Sequence, residues 1–263
     1  MSNTDKPASG TTNSDKEGWP AMTMKARTSK LEAHRPPLLI SFSGLDGAGK
    51  STQIANLQQF IERRGLSTRL LAFWDNVVVL SRYREGFVHK VYGSERGVGV
   101  PGKPVKRQDK NVRRWYLTIV RHALYLLDAL HLVKVVGAAR RSDADVIIMD
   151  RYIYDELANL PLTNFMTRIF VRMVDAFAPR PDVAYLLDAE PAEALRRKPE
   201  YPITFLYLSR RSYHRLARML GHMTLIPPLE LADALREVES AFAILVADEQ
   251  QAIKSDLDAA QAA

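Results

Sequence analysis

Eleven residues, FSGLDGAGKST at 42–52, gather three glycines, an acid, a lysine and three hydroxyls directly behind an apolar run. Within them Gly44, Gly49, Lys50 and Ser51 complete the pattern G-x-x-x-x-G-K-[ST]. Glycines let successive backbone N–H groups turn inward toward phosphate oxygens, and a helix that follows adds positive potential at its N-terminus. Gly44, Gly47, Ala48, Gly49, Lys50, Ser51 and Thr52 are therefore expected to cradle a triphosphate. Lys50 would reach its β- and γ-phosphates, and the Ser51 hydroxyl would ligate Mg2+. A bare glycine-rich turn is the alternative, and the strand and helix that flank the pattern argue against it. Asp46 fits neither reading: a carboxylate inside the loop repels phosphates, but makes sense facing a hydroxyl of a second substrate.

A second acid matters. The run VIIMDRY places Asp150 at the C-terminal end of a predicted strand, where ligands of open α/β sheets gather. It is the expected partner of Mg2+ through water; the alternative is a surface aspartate. Arg151 follows where a water-activating ATPase usually carries another acid. An arginine there suits the clamping of phosphates in a transfer reaction. The sequence has no N-K-x-D stretch for reading guanine. Transfer to a bound acceptor is thus better supported than attack by water.

These residues need a scaffold. LLISFSG (38–44), STRLLAF (67–73), DVIIMD (145–150) and DVAYLLD (182–188) are short apolar runs that read as strands, and HMTLIPP holds a candidate fifth. Between them, KSTQIANLQQFIERRG has apolar residues at helical spacing with Gly65 as a stop. Further helical patterns are VRRWYLTIVRHALYLLDALHLVKVVGAARR, with a candidate break at Gly137, LTNFMTRIFVRMVDAFAP, PAEALRRK and LELADALREVESAFAILVADEQQ, after which the last dozen residues are expected to fray. Strands alternating with helices predict an α/β fold, a parallel sheet covered on both faces.

Residues 1–35 lack apolar periodicity and read as a disordered tail ahead of one domain at 36–263. Residues 76–110, rich in Gly, Arg, Lys and Pro, read as a long loop. The chain has no cysteine, no apolar run near membrane-spanning length and no secretory signal, so a cytoplasmic protein without a membrane partner is expected. The net charge of +7 suits anionic ligands. Nucleic acid is a weak candidate, because the basic residues are dispersed except around 103–114. Residues 117–136 carry an apolar surplus with two readings, pairing in a homodimer or cover for the sheet.

SGLDGAGKSTQ, DRY at 150–152 and PDVAYLLDAEPAEALRRK at 181–198 together resemble the thymidylate kinase family over roughly residues 38–250. The resemblance implies a P-loop NTPase fold with a five-stranded parallel sheet and a basic lid. It implies ATP and Mg2+ as cofactors and a small-molecule nucleotide as substrate, with dTMP converted to dTDP. It implies that Asp46 contacts the acceptor's sugar hydroxyl and that Arg151 approaches the phosphates. Arg196, Arg197 and Lys198 stand where the lid would begin, with Arg197 the catalytic candidate; a solvated basic helix face is the other reading. The family's R-E-P-G-G-T-like stretch is replaced by FWDNVVVLSRYREG. There Trp74 either stacks a base or packs in the core, and Asp75 either binds the acceptor or serves as a base toward a hydroxyl. Arg121 is the candidate for the acceptor phosphate, with Arg113 and Arg114 nearby. These departures leave two alternatives open: a deoxynucleoside or other small-molecule kinase on this fold, and a nucleotide-binding regulator without catalysis.

Overall fold

A computed structural model describes residues 36–79 and 115–262. Five parallel strands form one sheet in the order β2-β3-β1-β4-β5. They are β1 (Leu38–Gly44), β2 (Thr68–Ala72), β3 (Val146–Asp150), β4 (Val183–Leu187) and β5 (Met223–Ile226). All five were legible as apolar runs. The helices are α1 (Lys50–Glu62), α2 (Phe73–Asn76), α3 (Trp115–Ala139), α4 (Ile153–Leu157), α5 (Phe165–Phe177), α6 (Pro191–Arg197), α7 (Ile203–Leu220) and α8 (Leu231–Ala262).

Successive strand residues face opposite ways, and the two faces are covered by different helices. Leu39, Ile147, Met149 and Leu186 lie in one core with Leu132 of α3, Leu157 of α4, Val171 of α5 and Leu216 of α7. Ile40, Phe42, Ile148 and Tyr185 lie in the other with Leu57 of α1 and Phe242 of α8. Both faces of the central strands are dry, which is why those strands read as unbroken apolar runs.

Local signals account for the ends of the helices. The Asn164 side chain caps α5 by accepting from Met166 N–H at 2.8 Å, and Pro179 stops it one residue past its C-cap. Gly65 adopts a left-handed φ of 78° just beyond α1. Three expectations change. Gly137 does not interrupt α3, because Leu132, Val136 and Ala139 are buried on either side and packing outweighs the roughly 1 kcal/mol that a mid-helix glycine costs. The chain end does not fray: its alanine-rich final residues continue α8 to Ala262. Finally, α7 was not anticipated, although Leu206, Tyr213 and Leu216 recur at helical spacing between Pro202 and Gly221. Among the described residues no helix is long and apolar enough to cross a membrane. The expected tail at 1–35, most of the expected loop at 76–110, and Arg113 and Arg114 lie outside the described residues.

Candidate active site

The loop between β1 and α1 is held by backbone close approach. Gly44 has φ 140°, and a Cβ there would stand 2.3 Å from the Leu187 carbonyl oxygen. Gly47 has φ 86°, and its Cβ would meet the Ala194 carbonyl oxygen at 2.5 Å. These glycines let the loop lie flat on the end of β4 and on α6. At Gly49 (φ 89°) an added Cβ would meet nothing within 4 Å. The space there is open, as a bound group would need. Gly49 is also the N-cap of α1 and gives no side-chain cap, so the first-turn N–H groups remain available to an anion. Ala48 closes the turn with an N–H to the Leu45 carbonyl at 3.1 Å. Ser51 and Thr52 are exposed in the first turn of α1.

Lys50 is buried, and its ammonium donates to the carbonyls of Gly44 and Leu45, both at 2.8 Å. Burial, helped by the nearby Arg151 charge, pushes its pKa down to about 8; the carboxylates of Asp155, Asp46 and Asp150 act against that fall. Asp150 ends β3 in register with Phe42 on one side and Ala72 on the other. It therefore sits at the carboxyl edge of the sheet beside the loop. Ser51 and Asp150 are hard oxygen donors suited to Mg2+. Among the described residues no group of three or more His, Cys, Asp or Glu could cage a metal.

Arg151 is the one non-glycine residue with a positive φ, 67°, among the described residues. Such a conformation is strained and needs support. Its N–H donates to the Phe42 carbonyl at 3.0 Å. Its guanidinium bonds Asp46 through Nη2 and Asp155 through Nη1, the latter at 3.3 Å. Burial opposes the guanidinium charge, but the carboxylates of Asp155 and Asp46 outweigh it and raise the pKa. The structure thus joins two residues that the sequence pairs only by a second substrate: the loop acid and the arginine after β3.

Of the three basic residues expected at a lid, one reaches the loop. Arg197 points Nη1 at the Gly47 carbonyl, 3.5 Å away. Arg196 is paired with Glu193, and Lys198 with Glu200 at 3.2 Å. Trp74 and Asp75 lie on α2 at the carboxyl end of β2, the same edge as Asp150. Trp74 is 44% exposed, edge-on to Phe73 at 6.5 Å. Phe73 is the buried member of the pair, so core packing does not explain Trp74. Asp75 is exposed. Arg121 lies partly buried in the N-terminal half of α3.

Several residues of this edge were not singled out from sequence. Asp155 is buried in α4 against the loop. Asp188, at the end of β4, receives the Arg210 guanidinium through Nε at 2.8 Å and Nη2 at 2.9 Å. Arg210 also bonds Glu190 at 2.5 Å, and His214 Nε2 is 3.1 Å from Asp188. Arg210, Tyr213 and His214 all come from α7, so missing that helix hid them together.

No family model matches the chain. Curated relatives do. The chain is 23% identical over 204 residues to a probable thymidylate kinase of Methanosphaera stadtmanae, covering 76% of this chain and 94% of that protein. It is 26% identical over 217 residues to a probable thymidylate kinase of Pyrococcus horikoshii, covering 79% and 93%. Among solved structures it resembles the thymidylate kinase of Ehrlichia chaffeensis, with a TM-score of 0.51, 17% identity, and coverage of 80% of this chain and 99% of that one. The fold is that of the P-loop NTPases.

Proposed function

We propose that this thymidylate kinase-like chain is an ATP- and Mg2+-dependent nucleotide kinase whose acceptor is a deoxynucleoside monophosphate, with dTMP the leading candidate. A nucleotide kinase is what its curated relatives are named for. The observation that carries the reading is the juxtaposition at the loop of Asp46 and Arg151, an acid and a base with no shared task in holding ATP alone.

The roles follow from chemistry. The loop N–H groups and Lys50 hold the triphosphate, and Lys50 exchanges its two carbonyl partners for phosphate oxygens. Ser51 and Asp150 hold Mg2+, which neutralises phosphate charge when bound. An oxygen of the acceptor phosphate forms a bond to the γ-phosphorus while the bond to the β–γ bridging oxygen breaks, and ADP leaves with that electron pair. The equatorial oxygens carry the negative charge of the transition state, and Arg151 and Arg197 neutralise it. Asp46 orients the acceptor's sugar hydroxyl, Trp74 stacks its base, and Asp75 and Arg121 complete the acceptor side.

Coupled ADP release with dTMP tests the reading. Acceptor-dependent release well above the water background supports it; ATP binding without such release points to a regulator. A second reading rests on Asp75, exposed at the same edge as Asp150. A hydroxyl acceptor needs a general base, whereas a phosphate acceptor does not. Loss of turnover in Asp75→Asn, with nucleosides as acceptors, would favour that reading. The exposed apolar side chains Ile119, Leu127 and Leu130 of α3 and Phe165, Ile169 and Met173 of α5 support a homodimer, which light scattering would reveal as twice the 29.7 kDa chain mass.

A further inference from the structure

Asp155 has no assigned role, yet four donors meet its carboxylate beside the loop. Its side chain is 5% exposed. Oδ2 accepts from Ser43 Oγ at 2.7 Å and from the Tyr152 N–H at 3.1 Å. Oδ1 accepts from Tyr213 OH at 2.8 Å and from Arg151 Nη1 at 3.3 Å. A carboxylate has about four lone-pair sites, and here each meets a donor. The donors come from β1 one residue before Gly44, from the Arg151–Tyr152 turn and from α7.

We propose that Asp155 is a positioning residue for Arg151: it fixes the inner edge of the guanidinium so that the outer edge can pass from Asp46 to an anionic oxygen of the acceptor. This rests on the nucleotide-kinase reading above. The geometry gives three reasons. First, Arg151 occupies a left-handed backbone, and such strain persists only where surrounding contacts over-determine it. Asp155 supplies two of them, one to the Arg151 side chain and one to the Tyr152 N–H. Second, a guanidinium has separate donors on a rigid fork. Nη1 is committed to Asp155 while Nη2 holds Asp46, so one partner can change while the other stays. Third, Asp46 and Asp155 differ in accessibility: their side chains are 15% and 5% exposed. Asp46 is the partner that an incoming substrate can reach. When it takes the acceptor's hydroxyl, Asp155 keeps the arginine from being lost to solvent.

The test is a double-mutant cycle on the full chain. Asp155→Asn keeps the volume and removes the charge. With ATP and the best acceptor it should lower kcat about 10²-fold and raise the acceptor KM by far more than the ATP KM, which shifts only through the loss of a carboxylate that supports the Lys50 charge. In an Arg151→Ala background, adding Asp155→Asn should lower kcat no further, although it still lowers the melting temperature through the lost partners Ser43 and Tyr213. A kcat loss that multiplies in the double variant, or equal rises in both KM values, makes Asp155 merely structural and overturns the proposal. If Asp155→Asn does not fold, Tyr213→Phe frees Oδ1 of one donor and should raise the acceptor KM about threefold without affecting that for ATP; no change overturns the proposal. A crystal structure of Asp155→Asn without ligands separates this from failure of the kinase reading. Arg151 should have left Asp46 or its positive φ whether or not any acceptor turns over. An unmoved Arg151 overturns the proposal.

Discussion

The phosphate loop and the Asp155 cluster lie side by side, yet they are built in opposite ways. The loop uses backbone: glycines at positive φ, bare N–H groups and one lysine, all within Gly44–Ser51. The cluster uses side chains from four places, Ser43, Arg151, Tyr213 and Asp46, gathered around Asp155 or its arginine. A backbone device tolerates little substitution but is written in consecutive residues. A side-chain device is scattered along the chain and is assembled only by folding. The difference teaches where each will fail: the loop through sterics and lost charge, the cluster through loosened geometry.

Substitutions at the loop should have the largest effects. Lys50→Met should lower kcat/KM by roughly 10²–10³-fold in the ADP-release assay. Its melting temperature should not fall, because a buried charge is removed. A variant that keeps a tenth or more of the activity would break the assignment of Lys50 to the phosphates.

Next come the glycines, which separate packing from binding. Gly44→Ala places a Cβ 2.3 Å from backbone and should destabilise the fold by about 2–4 kcal/mol, read by denaturant titration. Gly49→Ala meets nothing within 4 Å. It should cost about 1 kcal/mol of strain and still weaken ATP binding, because the added methyl occupies the open space. Equal stability losses at the two sites would erase the distinction between a packed and an open part of the loop.

Arg197→Ala should have a milder effect, about tenfold on kcat. Arg196→Ala should have almost none, since Arg196 is turned to Glu193 and only Arg197 reaches Gly47. Equal effects would return both to one basic face.

The smallest effect is set by pH. Lys50 has a folded-state pKa of about 8, below its ordinary 10.5. The folded chain therefore binds fewer protons than the unfolded one between those values. This group's contribution to stability rises with pH through that window. ATP affinity should run the other way and weaken as the ammonium deprotonates above about pH 8, as calorimetry from pH 7 to 9.5 would record. A flat profile would mean that the bound phosphates hold Lys50 charged throughout.

The sequence alone determined the sheet and the loop. The runs of β1, β3 and β4 were legible because strands buried on both faces must be largely apolar, and β2 and β5 were legible as shorter runs that pair at the two edges of the sheet. The turn at Gly44–Ser51 was legible because a glycine-rich strand-to-helix loop is a local backbone shape and its residues are neighbours. Asp150 was legible because it ends such a strand. Tertiary structure alone decided the rest. It set Arg151 against Asp46, 105 residues away, and turned Arg197 toward the Gly47 carbonyl while its two neighbours pair with glutamates. It also brought Tyr213 of the unforeseen α7 onto Asp155, 58 residues before it. A buried carboxylate must be satisfied by whatever donors the fold brings within reach, and no spacing along the chain records which those are.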